Sequence, residues 1–126
     1  MLSHILQNTY LCSKTVLLQN INKELEPLEK AITYYRVISA VNDLSLTERD
    51  IQLLAYTNKR GTISSITAKQ EFVRLFDSSI PTVNNMISKL KRKKLLVKVK
   101  HKVIVNPVIS FDFSQKVVVV LRLDNK

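Results

Sequence analysis

Glycine occurs once in these 126 residues, cysteine once, proline three times and tryptophan not at all. A single cysteine, Cys12, excludes an intramolecular disulfide and a metal site built on several thiolates. It is expected as the reduced thiol of an intracellular protein. With Gly61 the one glycine, no glycine-rich phosphate loop can be assembled, and no nucleophile motif is present. His4 and His101 lie far apart with no cysteine or acid at ligand spacing, so neither a metal nor another cofactor is expected. No run approaches the roughly 18 apolar residues of a membrane span. Residues 1–18 lack a basic start and are interrupted by His4, Gln7, Asn8 and Lys14, so no secretory leader and no membrane partner are expected. An apolar content of 45% is ordinary for a folded chain. The abundance of Lys, Ile and Asn fits an A+T-rich source, such as a low-GC bacterium, its phages or its plasmids.

A third kind of absence is local. Between Ser78 and Phe111 there is no acid, while eight basic residues are present: Lys89, Lys91, Arg92, Lys93, Lys94, Lys98, Lys100 and Lys102. This third of the chain therefore carries +8 of the formal net charge of +10. Charge sorted in this way points to a surface for a polyanion. The alternative is a lysine-rich face that only maintains solubility, but solubility does not require acids to be excluded from one segment.

Hydrophobic spacing supplies the elements. Residues 1–23 suit a helix through Leu2, Ile5, Leu6 and Leu11 or Val16, while 14–18 suit a strand equally well. Pro27 fits the first turn of a helix, and Leu28, Ile32, Tyr35, Ile38 and Val41 then recur at helical spacing to about Val41, with Ala31 and Tyr34 beside the stripe. Glu24, Glu26 and Glu29 are first-turn acids favoured by the helix dipole rather than a catalytic pair. Ser45 with Glu48 and Thr47 with Asp50 form overlapping capping boxes, and the helix they open should close at Gly61 in a left-handed conformation. A further helix is predicted from about Ser65 or Thr67 to Phe76, with Phe72, Leu75 and Phe76 inward. The next begins at Ser78–Pro81 with Ile80, Val83, Ile87 and Leu90 inward and Met86 alongside. From Leu95 the period becomes two: Val97 and Val99 alternate with Lys98 and Lys100, and a loose turn is expected over Lys100, His101 and Lys102. Residues 108–113 and 116–123 suggest a second hairpin around Ser114 and Gln115. The run from Val117 to Leu121 is too apolar for a bare edge.

Leu46-Thr47-Glu48-Arg49-Asp50-Ile51-Gln52-Leu53-Leu54, then Ser79-Ile80-Pro81-Thr82-Val83-Asn84-Asn85-Met86-Ile87-Ser88-Lys89-Leu90, then the basic exit Lys93-Lys94-Leu95-Leu96, together resemble a winged helix-turn-helix of the MarR-like kind. Val103-Ile104-Val105-Asn106-Pro107 is similar to the wing-closing strand of some plasmid replication initiators. The resemblance covers about half the chain, residues 44–107. Lys94 stands where such proteins usually have glycine, and the wing tip lacks glycine too. The implied fold class is α+β, mainly α, with three parts: an N-terminal arm and helix (1–43, the arm helical), a winged helix (44–107) and a C-terminal β extension (108–126).

The resemblance implies double-stranded DNA as partner. The N-terminal half of the recognition helix would offer Thr82, Asn84 and Asn85 to base edges, since Asn can bond adenine N6 and N7 and Thr can meet a thymine methyl. Ser88, Lys89, Lys91 and Arg92 would lie beside them, the basic groups at phosphates. Ser78 and Ser79 at the helix start would hold a further phosphate. Lys98, Lys100, His101 and Lys102 of the wing would reach the backbone or minor groove. Two functions are expected, neither enzymatic. One is a cytoplasmic transcription or replication regulator, a homo-oligomer or a member of a larger assembly through its arms. The other is a structural component of a phage virion that reuses the module beside nucleic acid. Fold alone does not separate them.

Overall fold

The computed structural model of the protein describes residues 6–11 and 14–19, as backbone, and residues 25–122. Cys12, His4 and Glu24 lie outside the described residues. The element order is β1 (Leu6–Leu11), β2 (Lys14–Gln19), α1 (Pro27–Asn42), α2 (Glu48–Arg60), α3 (Ile66–Phe76), α4 (Ile80–Arg92), β3 (Leu96–Val99) and β4 (Lys102–Val105), followed by a 3-10 turn at Pro107–Ile109. The protein is α+β and mainly helical. Among the described residues its sheets are two antiparallel hairpins, β1–β2 and β3–β4.

The helical reading of the N-terminal arm is corrected: residues 6–19 form a hairpin in which Leu6 faces Gln19 and Leu11 faces Lys14. Thr9, Tyr10, Thr15 and Val16 are β-branched or aromatic, and that preference outweighs a weak helical period.

Capping sets the helix boundaries. Glu26 and Glu29 form a reciprocal capping box ahead of Pro27 in α1. Thr47 and Asp50 do the same for α2: the Asp50 N–H donates to Thr47 Oγ1 (3.1 Å) and the Thr47 N–H donates to Asp50 Oδ2 (2.9 Å). Of the two overlapping boxes in the sequence this one is used, while Ser45 turns the chain at φ 56°. Ser65 caps α3 and Ser79 caps α4. Gly61 ends α2 at φ 101°.

Helix α2 is the hub. Leu53, Leu54, Ala55, Tyr56 and Thr57 are all buried, because α1, α3, α4 and β4 pack around it. Helix α4 contributes Val83, Met86, Ile87 and Leu90, and α3 contributes Ala68 and Phe72. Leu75 is 59% exposed, contrary to the inward position expected from its spacing. The core against α3 is already filled by Phe72, whose ring packs at a tilt on Phe76 (4.8 Å between centroids) and edge-on against Tyr56 (5.7 Å).

The C-terminal β extension is also corrected. After the 3-10 turn the described chain forms no strand. Asp112 accepts from the N–H and hydroxyl of Ser114, making the tight turn there. Phe111 and Phe113 then pack on Tyr34 of α1, at 5.2 and 5.4 Å. The Tyr35 hydroxyl donates to the carbonyl of Ile109 (2.7 Å). This aromatic anchoring to α1 takes the place of hairpin pairing.

Candidate nucleic-acid interface

Helix α4 is strongly amphipathic. With Val83, Met86, Ile87 and Leu90 inside, helical geometry puts Pro81, Asn85, Ser88 and Arg92 on the outermost stripe. Asn84 and Lys91 flank it on one side, Thr82 and Lys89 on the other. Asn84, Asn85, Ser88, Lys91 and Arg92 are exposed.

Three of the residues expected at DNA are engaged within the protein. The ammonium of Lys89 lies 2.5 Å from Oδ2 of Asp50, whose carboxylate is 2% exposed. Lys89 thus ties α4 to the start of α2. The Ser79 hydroxyl accepts from the Thr82 N–H (3.4 Å) and donates to Thr82 Oγ1 (2.9 Å). Two of the backbone donors at the α4 N-terminus are engaged locally as well. Pro81 has no N–H, the Thr82 N–H is on Ser79 Oγ, and the Val83 N–H is on the Ser79 carbonyl.

The β3–β4 hairpin is tighter than its sequence suggested. Val99 pairs with Lys102, leaving a two-residue turn at Lys100 (φ 50°) and His101 (φ 68°). Both residues hold the left-handed conformation of the turn that matches strand twist. The inward face of β3 is also shifted by one residue from expectation, while Val105 of β4 faces inward as its alternation suggested. Leu96 and Val105 are buried, whereas Val97, Val99 and Ile104 lie on the other side and Val99 is 45% exposed. Leu95 and Leu96 are both drawn into the core by the end of α4, which fixes this register. Lys98, Lys100, His101 and Lys102 are all exposed.

Residues that the sequence did not single out hold this hairpin in place. The Ser64 hydroxyl accepts from the Val103 N–H (2.5 Å), while the Val103 carbonyl accepts from the Ile63 N–H (3.0 Å) and the Thr62 hydroxyl (2.9 Å). The α2–α3 loop therefore lies along the outer side of β4. At the other end Asn106 donates its amide to the Lys94 carbonyl and its backbone N–H to the Leu95 carbonyl, both at 2.9 Å. Lys94 itself sits at φ 62°, the position where the missing glycine was noted. It is exposed and belongs with the basic surface. Lys93 instead reaches back to the Leu44 carbonyl (3.0 Å).

Among the described residues, Lys91, Arg92, Lys94, Lys98, Lys100 and Lys102 have no acidic partner. No group of three or more potential metal ligands occurs among those residues, and none of their helices is long and apolar enough to cross a membrane. The chain matches no model of a protein family, no curated protein and no solved structure.

Proposed function

We propose that the protein binds double-stranded DNA as a winged helix-turn-helix, with α4 as the recognition helix and β3–β4 as the wing. The observation that carries this proposal is the surface made jointly by α4, Lys94 and the β3–β4 hairpin. Six cations there have no acidic partner among the described residues, and two of them, Lys91 and Arg92, share the solvent side of α4 with exposed Asn84, Asn85 and Ser88. Cations without internal partners supply affinity for phosphates, and amide side chains on the exposed helix face supply base contacts. The rigid attachment of the hairpin through Ser64, Val103 and Asn106 also supports this assignment, since a wing must keep a fixed offset from the helix beside it. A regulatory or replicative role is the reading that such binding supports.

Fluorescence anisotropy of a labelled duplex across a salt series tests the proposal. If four or five cations meet phosphates together, the log–log slope is roughly −3.5 to −4.5. Lys89 is not counted, because Asp50 holds it. Absence of binding at about 50 mM salt, where the electrostatic contribution is strong, would sink the proposal and leave the structural role in a virion as the better reading of the surface.

A further inference from the structure

Two separated segments of this chain are left without the strand partners their residues favour. Strands β1 and β2 pair with each other along all six residues and with no third strand among the described residues. An isolated two-stranded hairpin is marginal in water. At the other end of the chain, residues 116–122 run without strand pairing. Val118, Val119, Val120 and Leu121 are 71, 48, 83 and 56% exposed, although such residues favour strands more than almost any others.

The unpaired segment borders a groove on α1. The groove, of about 480 Å³, is lined by Leu25, Tyr34, Val37, Phe113, Val117 and Val119 among others. Val41 continues the exposed apolar surface along α1. Leu25 is the decisive lining residue for what covers this surface. Strand β2 ends at Gln19, six Cα steps before a residue already in the groove. Six steps span at most roughly 20–22 Å, about the length of one six-residue strand. The hairpin is thus tethered beside an apolar groove and an unpaired segment of strand-favouring residues, at an effective concentration on the order of millimolar. A second copy at micromolar concentration competes poorly with that tether.

We propose that the β1–β2 hairpin docks on this groove of its own chain and that Val117–Leu121 adds to its edge as a third strand. The N-terminal arm and the C-terminal tail are then one structural unit covering α1. None of its residues belongs to the basic surface, so this inference does not depend on DNA binding.

Hydrogen exchange of the full chain, followed by mass spectrometry at a low and a high protein concentration, tests it. The amides of residues 117–121 should exchange at least on the order of tenfold more slowly than an unstructured chain, equally at both concentrations. A mixture of isotopically light and heavy chains treated with an amine cross-linker should join Lys14 to Lys116 only within chains of one isotope. Mixed-isotope cross-links, or protection that appears only at high concentration, would identify a second copy as the occupant and overturn the proposal. Exchange at the unstructured rate would show the segment to be uncovered and would overturn it equally.

Discussion

Lys89 reaches from the last turn of α4 to the first turn of α2, where its Nζ lies 2.5 Å from Oδ2 of Asp50. The same carboxylate oxygen accepts from the Thr47 N–H. One buried acid therefore both caps α2 and fixes the axial position of α4. Removing Lys89 would leave a buried carboxylate with only its cap bond. A fully buried broken pair costs about 3–5 kcal/mol, and the partial exposure of Lys89 reduces this. Lys89→Ala is expected to destabilise the fold by about 1–3 kcal/mol in urea unfolding, whereas Lys91→Ala and Arg92→Ala should stay within about 0.5 kcal/mol of the parent. Equal, small effects of all three would show that the ion pair adds nothing to stability.

The scarcity of glycine has a structural consequence. Asp43, Ser45, Asp77, Lys94, Lys100 and His101 all adopt positive φ. Aspartate tolerates this conformation through local hydrogen bonds, but lysine has no such compensation. Lys94 holds its strained φ because Leu95 closes α4 onto the Leu90 carbonyl (3.0 Å) and Asn106 holds the Lys94 carbonyl. Lys94→Gly should therefore raise stability by about 0.5–1 kcal/mol. A shift of the urea midpoint to higher concentration with an unchanged slope is the expected result. Destabilisation would mean that the lysine stem makes packing contacts worth more than the strain.

Most of α1 to β4 was legible in the sequence, because capping residues, the single glycine and apolar spacing all act locally. Thr47, Asp50, Ser65, Ser79 and Gly61 stand where those patterns put helix ends. What was not legible depends on long-range partners. The pairing of Lys89 with Asp50 spans 39 positions, and helical spacing alone places Lys89 on the solvent side. Likewise, nothing in 62–64 announces that Ser64 will bind Val103. The last segment misled for a related reason. Alternation and composition indicate strand propensity, but a strand needs a partner, and residues 111–113 are instead held by the rings of α1. The basic surface was legible as charge, while its division into free and engaged cations was not.

Two tyrosines should make the fold sensitive to high pH. Burial pushes the Tyr35 hydroxyl up strongly, with the neighbouring Tyr34 adding to the effect. Burial and the hydrogen bond to Glu71 push Tyr56 up to about 12. A tyrosine whose pKa is higher in the folded than in the unfolded state stabilises the fold while it is neutral. That contribution is complete below the unfolded pKa of about 10 and is lost as pH rises through the folded value. The melting temperature should accordingly fall between pH 10 and about 12, with phenolate absorbance rising together with unfolding. Tyr35→Phe removes one of these groups and the bond to the Ile109 carbonyl. It should cost about 1 kcal/mol at neutral pH and make the alkaline loss shallower. An unchanged alkaline profile in that variant would exclude Tyr35 as a source of the sensitivity.

The sharpest functional test separates residues that read bases from residues that hold phosphates. Asn85 lies on the outermost stripe of α4 with Ser88 and Arg92, whereas Asn84 lies on its flank beside Lys91. If α4 enters the major groove along that stripe, Asn85→Ala should reduce discrimination between a selected site and unrelated duplex by roughly 1–3 kcal/mol, and Asn84→Ala by less. Lys100→Ala and Lys102→Ala in the wing should weaken all sequences alike, each reducing the magnitude of the salt slope by about 1. Selection of a preferred duplex from a random pool, followed by anisotropy titrations of each variant on that duplex and on an unrelated one, measures both effects. A uniform loss on every sequence from Asn85→Ala would assign that asparagine to the backbone and remove base reading from this face of the helix. Sequence preference that disappears with the lysine substitutions instead would move recognition to the hairpin, where a narrow minor groove can be selected through its shape by an inserted cation.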